Sequence, residues 1–349
     1  MAKVKNSTIQ QLQDNLHSML FWFLSPKSKG LELIDGFHCA RMMSQNISLG
    51  YQNLPLDNSE KIIKNLTIPE LKEQEYIEKD ETYLTSIIEL KNFAINNLSE
   101  YLTAFLIHGS IATLDYSKGW SDLDTYLIIK KETIFNPDCL LELREKLLNG
   151  YSYLLRIDPL QHHGFLLCTE VDLQQYPSYY MPLNVLKHSK SLLGETSITF
   201  HVLPTSLNVK KRFKNHVTFF KKTYESGILK HHMYNGEYLL DNFHNRNNAM
   251  YQMKNFLEFI TILPAYYLEA KGTPSYKRES FSIVQPEVPS QNWELIEKAS
   301  YIRTEWENRE KHPYTGNKIP DWLIEILGDN YFKRIYDLIR VLWKNLDSR

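Results

Sequence analysis

Two aspartates one residue apart, Asp122 and Asp124, open the apolar run Thr125-Tyr-Leu-Ile-Ile129, and just upstream Leu106-Ile-His-Gly-Ser110 ends a second apolar run in a glycine-serine turn. Side chains of an extended chain alternate faces, so the two carboxylates point the same way while Leu123 turns into a core. Two like charges on one face repel. A hard cation such as Mg2+ relieves that repulsion and keeps coordination positions for phosphate oxygens and water. Gly109 lets backbone approach a ligand where a Cβ would obstruct it, and Ser110 adds a hydroxyl and an N–H suited to phosphate oxygens. Each half alone is an ordinary turn signal. Joined, and flanked by two buried-strand patterns, they describe a site for a metal-bound triphosphate.

The segment Ile107-His-Gly-Ser-Ile-Ala-Thr-Leu-Asp-Tyr-Ser-Lys-Gly-Trp-Ser-Asp-Leu-Asp124 resembles the hallmark of the nucleotidyltransferase superfamily that includes DNA polymerase beta and the aminoglycoside nucleotidyltransferases. It is most similar to the streptomycin/spectinomycin adenylyltransferase-like branch, where Gly-Ser-x-Ala precedes Ser-Asp-hydrophobic-Asp. Thr113-Leu114 stand where many relatives have Arg-Gly or Leu-Gly, which leaves the triphosphate loop without one flexible or basic position. The resemblance implies an α+β fold: a minimal nucleotidyltransferase mixed sheet with flanking helices, followed by a mostly helical C-terminal domain. It implies Mg2+, or Mn2+ in its place, held by Asp122 and Asp124, with ATP as co-substrate. In relatives a third carboxylate sits on a strand beside the acidic pair, and Asp158 matches that order as catalytic base or further metal ligand. Gly109, Ser110 and Lys190 are then the groups for the donor phosphates. The implied reaction moves a nucleoside monophosphate, AMP from ATP, onto a hydroxyl of a small acceptor and releases pyrophosphate.

Three segments carry these residues: an N-terminal helical and irregular extension over 1–75, a nucleotidyltransferase domain over 76–200, and a mostly helical acceptor-binding domain over 201–349. Apolar spacing predicts a helix from Tyr76 to Leu98, a strand from Tyr101 to Ile107, and a helix from Pro137 to Leu148 stopped by Asn149-Gly150. Tyr151–Asp158 and Phe165–Thr169 read as two strands of a hairpin turning through Pro159–Gly164. Arg156 would then share the strand face of Asp158 and either place a cation near the transferred phosphate or the carboxylates, or simply balance surface charge. Glu170 and Asp172 compete with Asp158 for the third carboxylate, or are solvated strand ends. His162 and His163 either exchange protons near neutral pH or simply satisfy the turn. His108, at a strand end, is not placed in the catalytic set.

Lys187 and Lys190 precede Ser191-Leu-Leu-Gly194, and Lys190 is the better phosphate candidate. Between Leu207 and His232, Lys210, Lys211, Arg212, Lys214, Lys221, Lys222 and Lys230 face only Glu225, a positive stretch that either covers phosphate or solubilises a helix. Apolar helical character continues over Tyr238–Leu268, Trp293–Trp306 and Trp322–Trp343, with a loop at Lys271–Ser280 that carries Lys277. These helices are expected to wall an acceptor cleft.

The 349 residues carry 40 Lys plus Arg against 41 Asp plus Glu, a formal charge of -1 that gives no global attraction to nucleic acid. Cys39, Cys139 and Cys168 are too few and too scattered for a disulfide scaffold or a zinc site. Phe256–Leu268 contains Glu258 and Pro264 and is too short to span a bilayer, and the N-terminus lacks a signal-peptide pattern, so a cytoplasmic protein without membrane attachment is expected. Two alternatives stand beside the small-molecule enzyme: a non-catalytic nucleotide-binding regulatory protein, and a nucleotidyltransferase acting on RNA or protein. Oligomeric state is not encoded in any pattern here.

Overall fold

The computed structural model describes residues 6–33, 36–158, 161, 164–204, 208–230, 237–239, 250–310 and 318–347. The fold is α+β, and the chain groups into two units, one of Met1–Tyr116 with Ser121–Pro204, the other of Ser117–Trp120 with Thr205–Arg349.

In the first unit, α1 (Asn6–Phe23) and α2 (Gly36–Gln52) flank a 3-10 segment at Pro26–Leu33. Their buried Leu16, Leu20, Phe23, Ile47 and Tyr51 belong to the same core as the central strands, so the N-terminal residues are a layer of this unit. Next come β1 (Ile62–Ile68), α3 (Glu73–Asn97), β2 (Leu102–His108), α4 (Gly109–Thr113) and β3 (Asp124–Ile129). They are followed by α5 (Lys131–Phe135), α6 (Pro137–Ile157), β4 (Leu166–Thr169), α7 (Glu170–Leu173), α8 (Leu183–Leu186), β5 (Lys190–Ser191) and β6 (Thr196–Val202).

The central sheet has the order β4-β3-β2-β5, with β2 antiparallel to both β3 and β5 and β4 parallel to β3. Period-two alternation divides its side chains between two cores. Phe105, Ile107, Leu123, Leu127 and Ile129 face the helical layer, joined by Leu102 across a register shift between Leu102 and Ala104, while Ala104, Leu106, Tyr126 and Ile128 face a second core shared with the antiparallel β1-β6 ribbon. The parity that buries Leu127 and Ile129 among the helices sets Asp124, the first residue of β3, to the other side, and Asp122 lies just before the strand.

Two expectations for this unit are corrected. The helix that begins at Pro137 does not stop at Asn149-Gly150 but runs to Ile157, so Tyr151–Asp158 is no strand. Its start is ordinary: the Asn136 side chain accepts hydrogen bonds from the Asp138 and Cys139 N–H groups and Pro137 occupies the first turn. Gly150 lies inside it because α3 comes close. A Cβ there would sit 2.7 Å from Cε1 of Phe93. The glycine serves helix packing, not termination. There is accordingly no hairpin: β4 pairs in parallel with β3 after the helical crossover. Gly150→Ala should lower the thermal midpoint despite alanine's better helix propensity, because overpacking by ~1–3 kcal/mol outweighs the ~1 kcal/mol gained. A thermal melt showing unchanged or raised stability would contradict that close packing.

The second unit holds α9 (Asn208–Ser226), the short antiparallel pair β7 (Ile228–Lys230) and β8 (Glu237–Leu239), and α10 (Met250–Ala270), with Pro264 inside it. Helices α11 (Lys277–Val284), α12 (Ser290–Arg309), α13 (Asp321–Leu327) and α14 (Tyr331–Asp347) complete it. Phe213 stacks on Trp343 at 6.2 Å and Tyr224 on Tyr336 at 5.7 Å, which fixes α9 against α14. The single helix expected over Trp322–Trp343 is two helices, separated at Gly328, whose φ of 71° an L-residue rarely adopts. Lys277 opens α11 rather than standing in a loop. Within this unit Trp120 edges onto Trp306 at 5.1 Å. Among the described residues no helix is long and apolar enough to cross a membrane.

Candidate active site

Register brings the two halves of the motif together. His108, the last residue of β2, pairs with Asp124, the first of β3, so the glycine-serine turn leaves the sheet where the second aspartate enters it. Gly109 has φ +69°, and a Cβ built on it would stand 2.3 Å from Oδ2 of Asp124. Two independent requirements thus converge on this glycine: a left-handed backbone and a carboxylate occupying the space of the absent side chain. Ser110 follows in the first turn of α4 and accepts the Asp115 N–H on its carbonyl at 3.0 Å. Asp122 and Asp124 are each partly exposed, while Leu123 between them is fully buried.

The turn after α6 grips this acidic segment. Gln161, 3% exposed, accepts the Leu123 N–H on Oε1 at 3.2 Å and donates from Nε2 to the Leu123 carbonyl at 3.4 Å. A side-chain amide here does the work of a neighbouring strand, fixing the backbone between the two aspartates. Gln161 is itself set by its N–H, which bonds the Asp158 carbonyl at 2.9 Å. No sequence signal marked Gln161, because a lone glutamine in a loop has no pattern.

Asp158 caps the C-terminus of α6 and is fully buried. Its carbonyl, bonded to the Gln161 N–H, ties it to the Leu123 backbone through Gln161, not by strand alternation. In the parallel register of β3 and β4, where Tyr126 pairs with Leu166, the place beside Asp124 falls at Gly164. Among the described residues no group of three or more His, Cys, Asp or Glu side chains is gathered to hold a metal ion, so Asp158 does not complete a three-ligand set with Asp122 and Asp124.

The competing carboxylates lie at the wrong end of the sheet. Glu170 and Asp172 follow β4, whose Thr169 pairs with Ile129, five strand residues or ~16 Å from Asp124. Glu170 accepts from the Thr103 hydroxyl and the Lys131 N–H, and buried Asp172 closes a capping box with Thr169 and accepts from Gln13 at 2.9 Å. Both are structural. Arg156 is an exposed α6 residue paired with Glu89, not a strand neighbour of Asp158. His162 and His163 lie outside the described residues. Burial pushes the Cys168 thiol well above its usual range, which leaves it unsuited to nucleophilic chemistry.

Lys190 sits on the other flank. It pairs with Ile107 across β5 and β2, adjacent to the glycine-serine turn. Leu114, the C-cap of α4, has φ 58° and ψ 25°, a left-handed position that a residue with a Cβ meets at a cost of about 1 kcal/mol.

The residues at the motif fit a magnesium ion chemically. Two half-exposed carboxylates supply hard oxygen ligands, and Mg2+ is commonly bound by one or two carboxylates with substrate phosphates and water completing the octahedron. No protein-family model matches the chain, and no curated protein and no solved structure matches it at a significant level.

Proposed function

We propose that this protein is a metal-dependent nucleotidyltransferase that moves AMP from ATP to a hydroxyl of a small acceptor. The observation that carries the reading is the contact between the two motif halves: Gly109 lacks a Cβ where the Asp124 carboxylate lies, with Ser110 next in the chain. The central sheet, with antiparallel β2 and β3 and parallel β4, is in keeping with the nucleotidyltransferase mixed sheet.

Under this reading Asp122 and Asp124 hold Mg2+, which when bound screens charge at the phosphates. Gly109 and Ser110 offer backbone and hydroxyl donors to the donor phosphates, and Lys190 adds a positive charge from β5. Gln161 keeps the Leu123 backbone rigid so that the flanking carboxylates hold one spacing. The acceptor hydroxyl oxygen bonds to the α-phosphorus, the bond from that phosphorus to the bridging oxygen breaks, and pyrophosphate leaves. The hydroxyl proton passes to the Asp158 carboxylate.

Incubating the full chain with each of ATP, GTP, CTP and UTP, Mg2+ or Mn2+, and panels of hydroxylated metabolites, RNA and protein tests this directly by intact mass of every product. A mass gain of one nucleoside monophosphate on a small acceptor is the expected result, and a gain on RNA or protein would move the acceptor class. The separation of Asp158 from a three-ligand group favours one rival, a nucleotide-binding regulatory protein without turnover. ATP binding with no transfer to any acceptor would establish it. Asp158→Asn is expected to retain ATP–Mg2+ affinity by calorimetry and lose ~100-fold or more in single-turnover transfer, since asparagine keeps the size but cannot take the proton. Full turnover by the folded variant would remove Asp158 from the reaction.

A further inference from the structure

In the middle of the motif the chain passes through the second unit: it leaves the first after Tyr116, contributes Ser117–Trp120 to the second, and returns at Ser121, one residue before Asp122. We propose that Trp306 of α12 is a positioning residue for Asp122, holding Trp120 two residues upstream, so that the second unit sets how tightly the acidic pair takes a divalent cation; this rests on the nucleotidyl-transfer reading.

Local sequence makes the anchor. Ser117-Lys-Gly-Trp120 closes on itself through the Trp120 N–H, which bonds the Ser117 carbonyl at 3.1 Å, with Gly119 at φ +71° in the third place of the turn, where glycine meets no steric cost. The turn sets Trp120 edge-on to Trp306 with ring centroids 5.1 Å apart, and both indoles are buried, 4% and 2% exposed. Behind Trp306 stands Trp322 of α13 at 5.8 Å. Trp322 is itself held, donating its indole N–H to Glu310 at 2.7 Å with the Arg309 guanidinium 5.2 Å from its ring. Trp306 therefore stands between two rings and has little slack to give. The Lys118 N–H reaches the Glu307 carboxylate at 3.4 Å, a second and longer link from the same turn to α12.

Asp122 needs such a support more than Asp124 does. Asp124 is the first residue of β3 and takes its place from the register with His108. Asp122 precedes the strand, so its backbone is set by its neighbours: Leu123, gripped by Gln161, on one side, and the buried Ser121 and Trp120 on the other. Two peptide links span at most ~7 Å, and a fixed Trp120 leaves the Asp122 Cα little room. Two carboxylates serve one hard cation only while their oxygens keep one spacing, and Mg2+ demands near-ideal octahedral geometry. Freeing Trp120 thus loosens one ligand while the other stays in its strand. The loss falls on metal affinity, not on the fold of the first unit.

Titrating the full chain with Mn2+ alone, followed by electron paramagnetic resonance, reads the site without turnover. The wild type is expected to bind Mn2+ in a way that Asp122→Asn abolishes; Trp306→Ala should weaken that binding by roughly tenfold, and Trp306→Phe, which keeps a ring against Trp120, should recover most of it. Trp293 is the control, a buried indole packed on Phe281 and ~20 Å along α12 from Trp306. Trp293→Ala opens a comparable cavity in the same helix, so it should lower the thermal midpoint and leave Mn2+ affinity unchanged. Where Trp306→Ala does not fold, Trp120→Ala removes the other ring and leaves α12 whole. Wild-type Mn2+ affinity in folded Trp306→Ala or Trp120→Ala overturns the positioning role and spares the nucleotidyl-transfer reading. An equal loss in Trp293→Ala overturns it in favour of a general loosening of the second unit. Wild-type protein without a Mn2+ site that depends on Asp122 overturns the metal-site reading and this assignment together.

Discussion

Asp122→Asn and Asp124→Asn are each expected to cut nucleotidyl transfer by at least ~100-fold, about 2.7 kcal/mol of transition-state stabilisation, with the fold intact. Both side chains are partly exposed, at the open end of β3 where no core packing depends on their charge. Asparagine keeps the shape but removes the negative charge that a divalent cation needs, so the loss should fall on metal-supported chemistry. Thermal midpoints should stay near wild type, and removing one of two like charges on one face gives no reason for destabilisation. Measuring turnover across a Mg2+ titration separates affinity from chemistry: partial recovery at high metal marks a ligand whose loss is offset by mass action. Near-wild-type turnover from folded Asp124→Asn would reject the acidic pair as the site.

What the sequence made legible was contiguous. Strand β2, the glycine-serine turn and the acidic start of β3 lie within one short stretch, and their apolar alternation and turn residues act locally. The helix over Tyr76–Leu98 was readable in the main: α3 runs to Asn97 with Leu98 as its C-cap, but a kink at Asp80, with φ -170° and ψ 88°, divides it. The failures came where a residue answers to a distant partner. Gly150 carries the composition of a helix stop, yet its reason is the Phe93 ring on another helix. Extending α6 through it removed the strand on which Asp158 was placed and turned a presumed hairpin into a parallel pairing, which no local pattern distinguishes. The β1-β6 ribbon joins segments more than a hundred residues apart, and so was invisible in residues 1–75.

The site shows the same division. The residues named from chemistry, Asp122, Asp124, Gly109 and Ser110, are neighbours in the chain, and one antiparallel register sets Gly109 against Asp124. Gln161 does its work through backbone atoms of Leu123, and backbone recognition leaves no constraint that sequence spacing can express. Lys190 stood in the sequence as one isolated lysine among many; pairing with Ile107 is what sets it apart.

Gly109→Ala should be the most disruptive single methyl in the first unit. Two penalties apply at one position. At φ +69° an L-residue costs about 1–2 kcal/mol relative to glycine, and the new Cβ would lie 2.3 Å from Oδ2 of Asp124, well inside any tolerated contact. Relief requires either the carboxylate to swing away from the turn or the turn to lift off the end of β2. A swung Asp124 cannot hold a cation in register with Asp122, and a lifted turn carries Ser110 away from the donor phosphates, so both escapes remove function. The variant should therefore lose about 1–3 kcal/mol of stability while transfer falls by ~100-fold or more, a loss of activity out of proportion to the loss of folded protein. Gly150→Ala supplies the control, since it adds the same methyl to the same unit under comparable crowding but against Phe93, away from the motif. Turnover per folded molecule should survive in that control and collapse in Gly109→Ala. Equal turnover in the two variants would show that the space beside Asp124 has no catalytic meaning.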